Sequence, residues 1–279
     1  MTKSFIKTGV IGHPISHSKS PLIHSYWLDS HELSGSYEAI DIKPENLKQD
    51  VLDLVKQGYK GFNVTVPHKV AIMELCDVIG PIAEQIEAVN TVTIKKGKLH
   101  GTNTDAFGFT ENIKQAIARE NWDWSFDGGK AVVIGAGGAA NAVIHALLEE
   151  GVPEISITNR TREKAEILTS RDVRKITAYD WDSRNDCFKD ANFIINCSAL
   201  GMAGNAPLEV DLKDAPEHAL VTDIVYAPLY TDLLNQAIDK GLRVVTGIGM
   251  LLHQARPGFE LWNGVLPEVT LELEKLALK

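Results

Sequence analysis

Cysteine is scarce in this 279-residue chain: Cys76, Cys187 and Cys197 are odd in number and lack CxxC spacing. That pattern excludes a disulfide framework and suits reduced, buried thiols in a reducing compartment. No apolar run reaches the roughly 20 residues that a membrane-spanning helix needs. The opening "MTKSFIKTGVIGHP" has too short an apolar stretch for a signal sequence, so no membrane association and a cytoplasmic location are expected. Positive charge is in deficit. With 28 Lys and Arg against 37 Asp and Glu, the formal net charge of −9 argues against nucleic acid or an anionic membrane as a general partner. Repeats and low-complexity segments are absent. His13 and His17 have HxxxH spacing, but Pro14 lies between them and no acid holds the position a zinc protease needs, so they read as loop residues and no metal site is expected.

What is present points to a globular α/β protein. The chain is longer than a single core usually supports, and its 44% hydrophobic content suits two domains. The window "KAVVIGAGGAANAVIHALLEEG", residues 130–151, is an apolar strand, a turn with Gly135, Gly137 and Gly138, then Val143, Ile144, Leu147 and Leu148 at helical spacing. That order is either a plain structural turn or a cradle where backbone N–H groups hold a pyrophosphate. The next segment, "EISITNRTREKAEIL", reads as a second strand and helix. Asn159 stands 24 positions after Gly135, about where an acid would bind the ribose of NAD. No acid is found there. Asn159, Arg160, Thr161 and Lys164 supply cations and small donors suited to a 2′-phosphate, which favours NADP over a merely solvated basic turn. Further strands are expected in "NFIINCSALGM", "ALVTDIVYAP" and "GLRVVTGIGM", giving a doubly wound, Rossmann-type domain over residues 108–245. The weakly patterned "ENWDWSFDGGK", residues 120–130, reads as a link between domains.

The N-terminal part carries polar loops. "GFNVTVPHK" alternates Phe62, Val64 and Val66 against Asn63 and Thr65, and then meets Pro67. The spacing in "HKVAIMELCDVIG" predicts a helix with Lys69 in its first turn, where a cation opposes the helix dipole. Lys69 is therefore either a solvated surface residue or is kept for another purpose. In "TGVIGHPISHSKSP", Ser16, Ser18 and Ser20 precede Pro21 and a helix; they are caps or the hydroxyls of a small carboxylate site. "EAVNTVTIKKGKLHGTNTDAFG" reads as two strands around a Lys-Gly turn, with Asp105 a candidate cap of the following helix.

Taken together, "GHPISHSKSP", "NVTVPHK", "AVNT", "GTNTD", "GAGGAA", "NRT" with Lys164, and "GMLLHQARPGFELW" occur in an order that resembles the shikimate dehydrogenase family, over essentially the whole chain. The resemblance implies an α/β substrate domain with a mixed sheet, formed by residues 1–107 and 246–279, around a Rossmann-type NADP domain at 108–245. The terminal "PEVTLELEKLAL", with Val269, Leu273 and Leu276 at helical spacing, fits a helix that packs back on another element. By motif, the family's catalytic pair falls on Lys69 and Asp105, which would exchange the proton and balance its charge as hydride moves between NADPH and 3-dehydroshikimate. Its substrate contacts fall on Ser18, Ser20, Thr65, Asn90, Tyr226 and Gln254. Its cofactor contacts fall on Gly135, Ala136, Gly137, Gly138 and Ala139, on Asn159, Arg160, Thr161 and Lys164, and on Ile224 and Gly247.

Two positions depart from the family pattern: Asn196-Cys197-Ser198 replaces a frequent Asn-Ala-Thr, and Lys164 stands where a second arginine is frequent. The implied partner is a small molecule, shikimate or 3-dehydroshikimate, acted on by a monomer or homodimer. The competing readings are a quinate/shikimate dehydrogenase with relaxed substrate or cofactor choice, and a catalytically silent NADP-binding regulator. Retention of Lys69 and Asp105 counts against the silent form, and the basic turn counts against an NAD enzyme.

Overall fold

A computed structural model describes residues 5–279; residues 1–4 of the expected substrate domain lie outside the described residues. The chain forms two compact units, Met1–Gly108 with Leu252–Lys279, and Phe109–Leu251. The first holds strands β1 (Ile6–Gly12), β2 (Gly35–Asp41), β3 (Gly61–Val64), β4 (Val78–Ile79), β5 (Thr91–Lys95) and β6 (Lys98–Thr102). Helices α1 (Ser20–Ser30), α2 (Leu47–Lys56) and α3 (Pro81–Ile86) connect them, and α4 (Asp105–Glu120) leads out. The strand order is β2-β1-β3-β5-β6-β4. Because β1 runs parallel to β2 and β3 while β5 runs antiparallel to β3 and β6, the sheet is mixed.

The second unit contains β7 (Lys130–Ile134), α5 (Gly138–Glu149), β8 (Ile155–Thr158), α6 (Arg162–Thr169), β9 (Ile176–Tyr179), β10 (Ala191–Asn196), β11 (Leu220–Asp223), α7 (Asp232–Asp239) and β12 (Arg243–Val245). All its strand pairs are parallel, in the order β12-β11-β10-β7-β8-β9. Read from β9, this is the 3-2-1-4-5-6 order of dinucleotide-binding sheets. Helices α8 (Ile248–Asn263) and α9 (Leu271–Ala277) follow. The observed division at Leu251/Leu252 falls inside α8, later than the expected 245/246, because a continuous helix carries no compositional break.

The first sheet buries both faces. Ile11, Phe62, Val64 and Val92 pack with Val51 and Leu54 of α2 and with Ile72. The opposite face meets an aromatic layer in which His24 stacks on Tyr37 at 3.8 Å, and Trp27 and Phe259 approach edge-on at 5.5 Å. Strand β3 is consequently buried at all four positions, and only Val66 of the expected alternating set is exposed, at 69%. Of the expected Val269, Leu273 and Leu276, Val269 precedes α9 and Leu276 is half-buried; the buried residues of the helix are Leu273 and Ala277, one turn apart.

Two expectations are corrected. Residues 120–130 are no link: Trp124 Nε1 donates to Asn192 O at 3.2 Å, and the Trp124 and Phe126 rings pack on Phe193 inside the second unit. The helix expected from Lys69 onward shrinks to a short 3₁₀ turn, Ala71–Leu75, before β4. Only Ile72 of that turn is buried, and pairing of Val78 and Ile79 with His100 and Gly101 draws the following residues into the sheet instead. No helix among the described residues is long and apolar enough to cross a membrane.

Burial drives His24 from 6.5 down to about 3, opposed weakly by Asn63. The unfolded chain therefore takes up a proton before the folded one does, so this contribution to stability is present above pH 6.5 and is lost as pH falls toward 3. His24→Phe should flatten the fall in Tm over that acid range. Parallel acid limbs for variant and parent would contradict this.

Candidate active site

A hairpin assembles the first cluster. Lys96 and Gly97 both have positive φ, at 52° and 76°, as a tight two-residue turn between β5 and β6 requires. The turn returns the chain so that Asn90, just before β5, lies beside Thr104 and Asp105, just after β6. Asn103 Oδ1 accepts from Asp105 N at 2.9 Å and orients the start of α4. Asp105 Oδ1 then accepts from Asn90 Nδ2 at 2.8 Å, and Oδ2 accepts from Lys69 Nζ at 2.5 Å. The Lys69 and Asp105 side chains are 27% and 11% exposed. Lys69 lies ahead of the 3₁₀ turn rather than inside a helix, with its carbonyl accepting from Val89 N at 2.8 Å. Removing either ion would leave the other poorly solvated.

Gln254 of α8 joins the same cluster. Its Oε1 accepts from Asn90 Nδ2 at 3.4 Å, and its carbonyl accepts from Thr104 Oγ1 at 2.8 Å. Ser18 and Ser20 lie at the entry to α1. Ser18 Oγ accepts from Ser20 N at 3.3 Å, yet the helix N-cap is Lys19 and makes no side-chain capping bond. The Ser18 oxygen is thus a local acceptor, and capping accounts for neither hydroxyl proton. Thr65 follows β3 and is half-buried; Gly12 runs so close that a Cβ there would meet Thr65 Cγ2 at 2.5 Å.

In the second unit the glycine turn falls at the carboxyl edge of β7. Gly135 has φ +106°, and a Cβ on it would lie 2.9 Å from Ser198 N. Gly137 and Gly138 face open space, and the first turn of α5 carries no side-chain cap, which leaves its N–H groups available to an anion. Ala139 follows in that turn. Asn159 fastens the neighbouring strand end, since its Oδ1 accepts from Ala136 N at 3.2 Å and its Nδ2 donates to Thr161 O at 2.8 Å. Arg162 is engaged by Glu166 and Asp180 at 2.7 and 2.5 Å. Arg160 and Lys164 are exposed, and their side chains have no ion-pair partner among the described residues. A cavity of about 190 Å³ opens beside this turn, lined by Gly135, Asn159, Arg160, Trp181, Ser198 and Leu200 among others. A glycine cradle, free helix N–H groups and two unpaired cations fit a dinucleotide bearing an extra phosphate.

Sequence reasoning missed the network beneath that cavity. Asp223, fully buried, accepts from Asn196 Nδ2 at 3.0 Å, Val225 N at 2.9 Å and Thr231 Oγ1 at 2.7 Å. Burial raises its pKa, and those three donors partly offset the rise. Asn196 Oδ1 in turn takes the Ser198 hydroxyl at 2.8 Å, so serine here does the work of a threonine hydroxyl. Cys197 is buried, and burial pushes its thiol up. The signal was the polar residue ending each apolar run, at the strand edge where such sheets bind ligands. Ile224 follows Asp223, and a Cβ on Gly247 would meet the Asp223 and Ile224 carbonyl oxygens at 2.6 Å. Tyr226 is half-buried and belongs to this unit rather than to the Lys69 cluster.

Residues 10–92 match the model of the shikimate dehydrogenase substrate binding domain, and residues 116–224 match that of shikimate / quinate 5-dehydrogenase. A shikimate dehydrogenase (NADP(+)) from Paramagnetospirillum magneticum is 45% identical over 97% of this chain and 97% of its own length. The chain belongs to the shikimate dehydrogenase family. Among solved structures, the Thermus thermophilus enzyme in complex with NADP(H) and shikimate superposes with a TM-score of 0.84 at 35% identity, covering 98% of each chain. A quinate dehydrogenase from Corynebacterium glutamicum in complex with NAD gives 0.89 at 28% identity, with 99% of each chain covered.

The two ends of the glycine turn should respond differently to a methyl group. Gly135→Ala meets both positive φ and the Ser198 backbone, and should cost about 1–3 kcal/mol. Gly137→Ala enters open space and should stay within about 0.5 kcal/mol of the parent. Urea denaturation of the two variants checks this, and equal losses would contradict it.

Proposed function

We propose that this chain catalyses the reversible reduction of 3-dehydroshikimate to shikimate with NADPH, in the pathway to chorismate and the aromatic amino acids. The observation that carries the reading is the 2.5 Å contact between Lys69 Nζ and Asp105 Oδ2. When bound, NADPH supplies the hydride that reduces the ketone carbon. The carbonyl oxygen gains negative charge as this happens, and Lys69 gives it a proton; in the reverse direction neutral Lys69 accepts the proton of the hydroxyl. Asp105 holds the lysine in place and balances its charge, and Asn90 keeps the second carboxylate oxygen occupied.

The Ser18 and Ser20 hydroxyls hold the substrate carboxylate, with Thr65, Asn90, Gln254 and Tyr226 as further contacts. In the second unit, Gly135–Ala139 cradle the pyrophosphate, Ile224 and Gly247 flank the cofactor, and Asn159, Arg160, Thr161 and Lys164 receive the 2′-phosphate. This assigns NADP to the second compact unit, which extends to Leu251 and so includes Gly247, and the substrate, Tyr226 apart, to the first. The enzyme acts as a monomer or homodimer, and three free thiols suit the reducing cytoplasm.

Initial rates with shikimate and with quinate, each with NADP and NAD, test the reading. Turnover should be highest with shikimate and NADP. Preference for quinate, or for NAD, would replace it with the broader dehydrogenase, and no turnover of any pair would leave a silent binding protein.

Lys69→Ala should lower turnover roughly 10²- to 10⁴-fold and leave NADP binding nearly unchanged, since proton transfer is lost while the nucleotide cradle is untouched. Near-parental turnover would remove Lys69 as the proton donor.

A further inference from the structure

The helix that begins at Ser20 and the Lys69–Asp105 pair are joined by one buried chain of contacts, hydrogen-bonded from Asp105 as far as Tyr37. From Asp105 it passes to Asn90 Nδ2 at 2.8 Å, and Asn90 Oδ1 accepts from Thr91 Oγ1 at 2.9 Å. Thr91 Oγ1 accepts from Asn63 Nδ2 at 3.0 Å, and Asn63 Oδ1 accepts from Tyr37 OH at 2.6 Å. Tyr37 in turn meets α1, the helix that begins at Ser20, by stacking on His24 at 3.8 Å. The donor directions are mutually consistent: Tyr37 to Asn63, Asn63 to Thr91, Thr91 to Asn90, and Asn90 to Asp105, which also receives Lys69.

These linking groups are interior. Thr91 is 0% exposed, Asn90 2%, and Tyr37 and Asn63 5% each. The chain runs across the sheet from β2 through β3 to β5, beneath α8, where a Cβ on Gly258 would sit 3.4 Å from both Asn63 Nδ2 and Thr91 Cγ2. A buried amide or hydroxyl left without its partner is costly, so a fully satisfied chain admits few alternative arrangements. The two ends are thereby held at a fixed separation. A six-membered ring carrying a carboxylate at one position and the reacting carbon at another is rigid, and productive reaction depends on that separation.

We propose that Tyr37, Asn63 and Thr91 are positioning residues that set the register between the carboxylate anchor at Ser18 and Ser20 and the proton donor at Lys69. The inference rests on the shikimate dehydrogenase reading above and deepens it. Thr91 has no surface with which to touch substrate, so any kinetic effect of changing it must pass through the chain.

The test compares Thr91→Val, which keeps the shape and removes the hydroxyl, with Thr91→Ser, which keeps the hydroxyl, and adds Tyr37→Phe as a break at the other end. Each is assayed for kcat and KM with shikimate at saturating NADP, for KM with NADP, for shikimate affinity by calorimetry, and for Tm. Thr91→Val and Tyr37→Phe should lower kcat/KM for shikimate about 10- to 100-fold at temperatures where both are folded, with the KM for NADP within about twofold of the parent. Thr91→Ser should recover most of the loss. Folded Thr91→Val and Tyr37→Phe with parental kcat/KM would overturn the proposal, as would a loss in Thr91→Ser equal to that in Thr91→Val. If Thr91→Val does not fold, Tyr37→Phe alone decides by the same criterion. Failure of the parent to turn over shikimate would instead reject the function reading, so the two failures are told apart.

Discussion

An ammonium and a carboxylate held 2.5 Å apart, with the carboxylate side chain only 11% exposed, need their surroundings to replace lost water. In this protein that requirement organises the first unit. Asn90 donates to one carboxylate oxygen and Lys69 to the other, and Asn90 is itself fixed by Thr91, Thr104 and Gln254. Those partners come from the β5–β6 hairpin, the start of α4 and the middle of α8, which are far apart in the chain. Sheet order, the two-residue hairpin turn and the return of the C-terminal helices to the first unit are all needed to deliver them to one place.

The second unit meets a different constraint, that of leaving backbone groups unpaired without leaving them buried. Its parallel strands β7 and β10 end side by side, and Gly135 lets the two chain segments pass within a distance no side chain would permit. The consequence is an open turn at Gly137 and Gly138 with helix N–H groups directed outward. Asp223 anchors the adjoining strand ends from below. Its carboxylate has three donors and the buried network reaches Ser198, which lines the same cavity. Nearby, Arg162 is occupied by Glu166 and Asp180, while Arg160 and Lys164 keep their charges free. The distribution of ion pairs therefore decides which cations are available for a phosphate, although all three lie within five residues of sequence.

Much of this was legible in the residues themselves, because the signals are local. Apolar runs of buried-strand type, the glycine spacing at 135–138, the Lys-Gly hairpin turn and the absence of an acid at Asn159 each act through a few neighbouring backbone groups, and periodicity reads such effects directly. The helix expected after Pro67 was misread. Its helical spacing was overruled by pairing of Val78 and Ile79 with β6, a contact more than twenty residues away in sequence. Residues 120–130 were misread for the converse reason: polar composition suggested a link, but Trp124 and Phe126 find their aromatic partner in β10.

The two-unit α/β character, the glycine turn and the basic turn were legible from residue type and short-range spacing, whereas the roles of Lys69 and Asp105 followed from the resemblance of motifs along the whole chain. Which groups face one another follows from the folded units: Lys69 precedes its 3₁₀ turn and meets Asp105, Arg162 is paired while Arg160 is not, and Tyr37, Asn63 and Thr91 connect across a sheet. The reason is physical. A hydrogen bond between side chains on different strands depends on distances of a few tenths of an ångström, and those are set by packing over the whole unit rather than by the residues that make the bond.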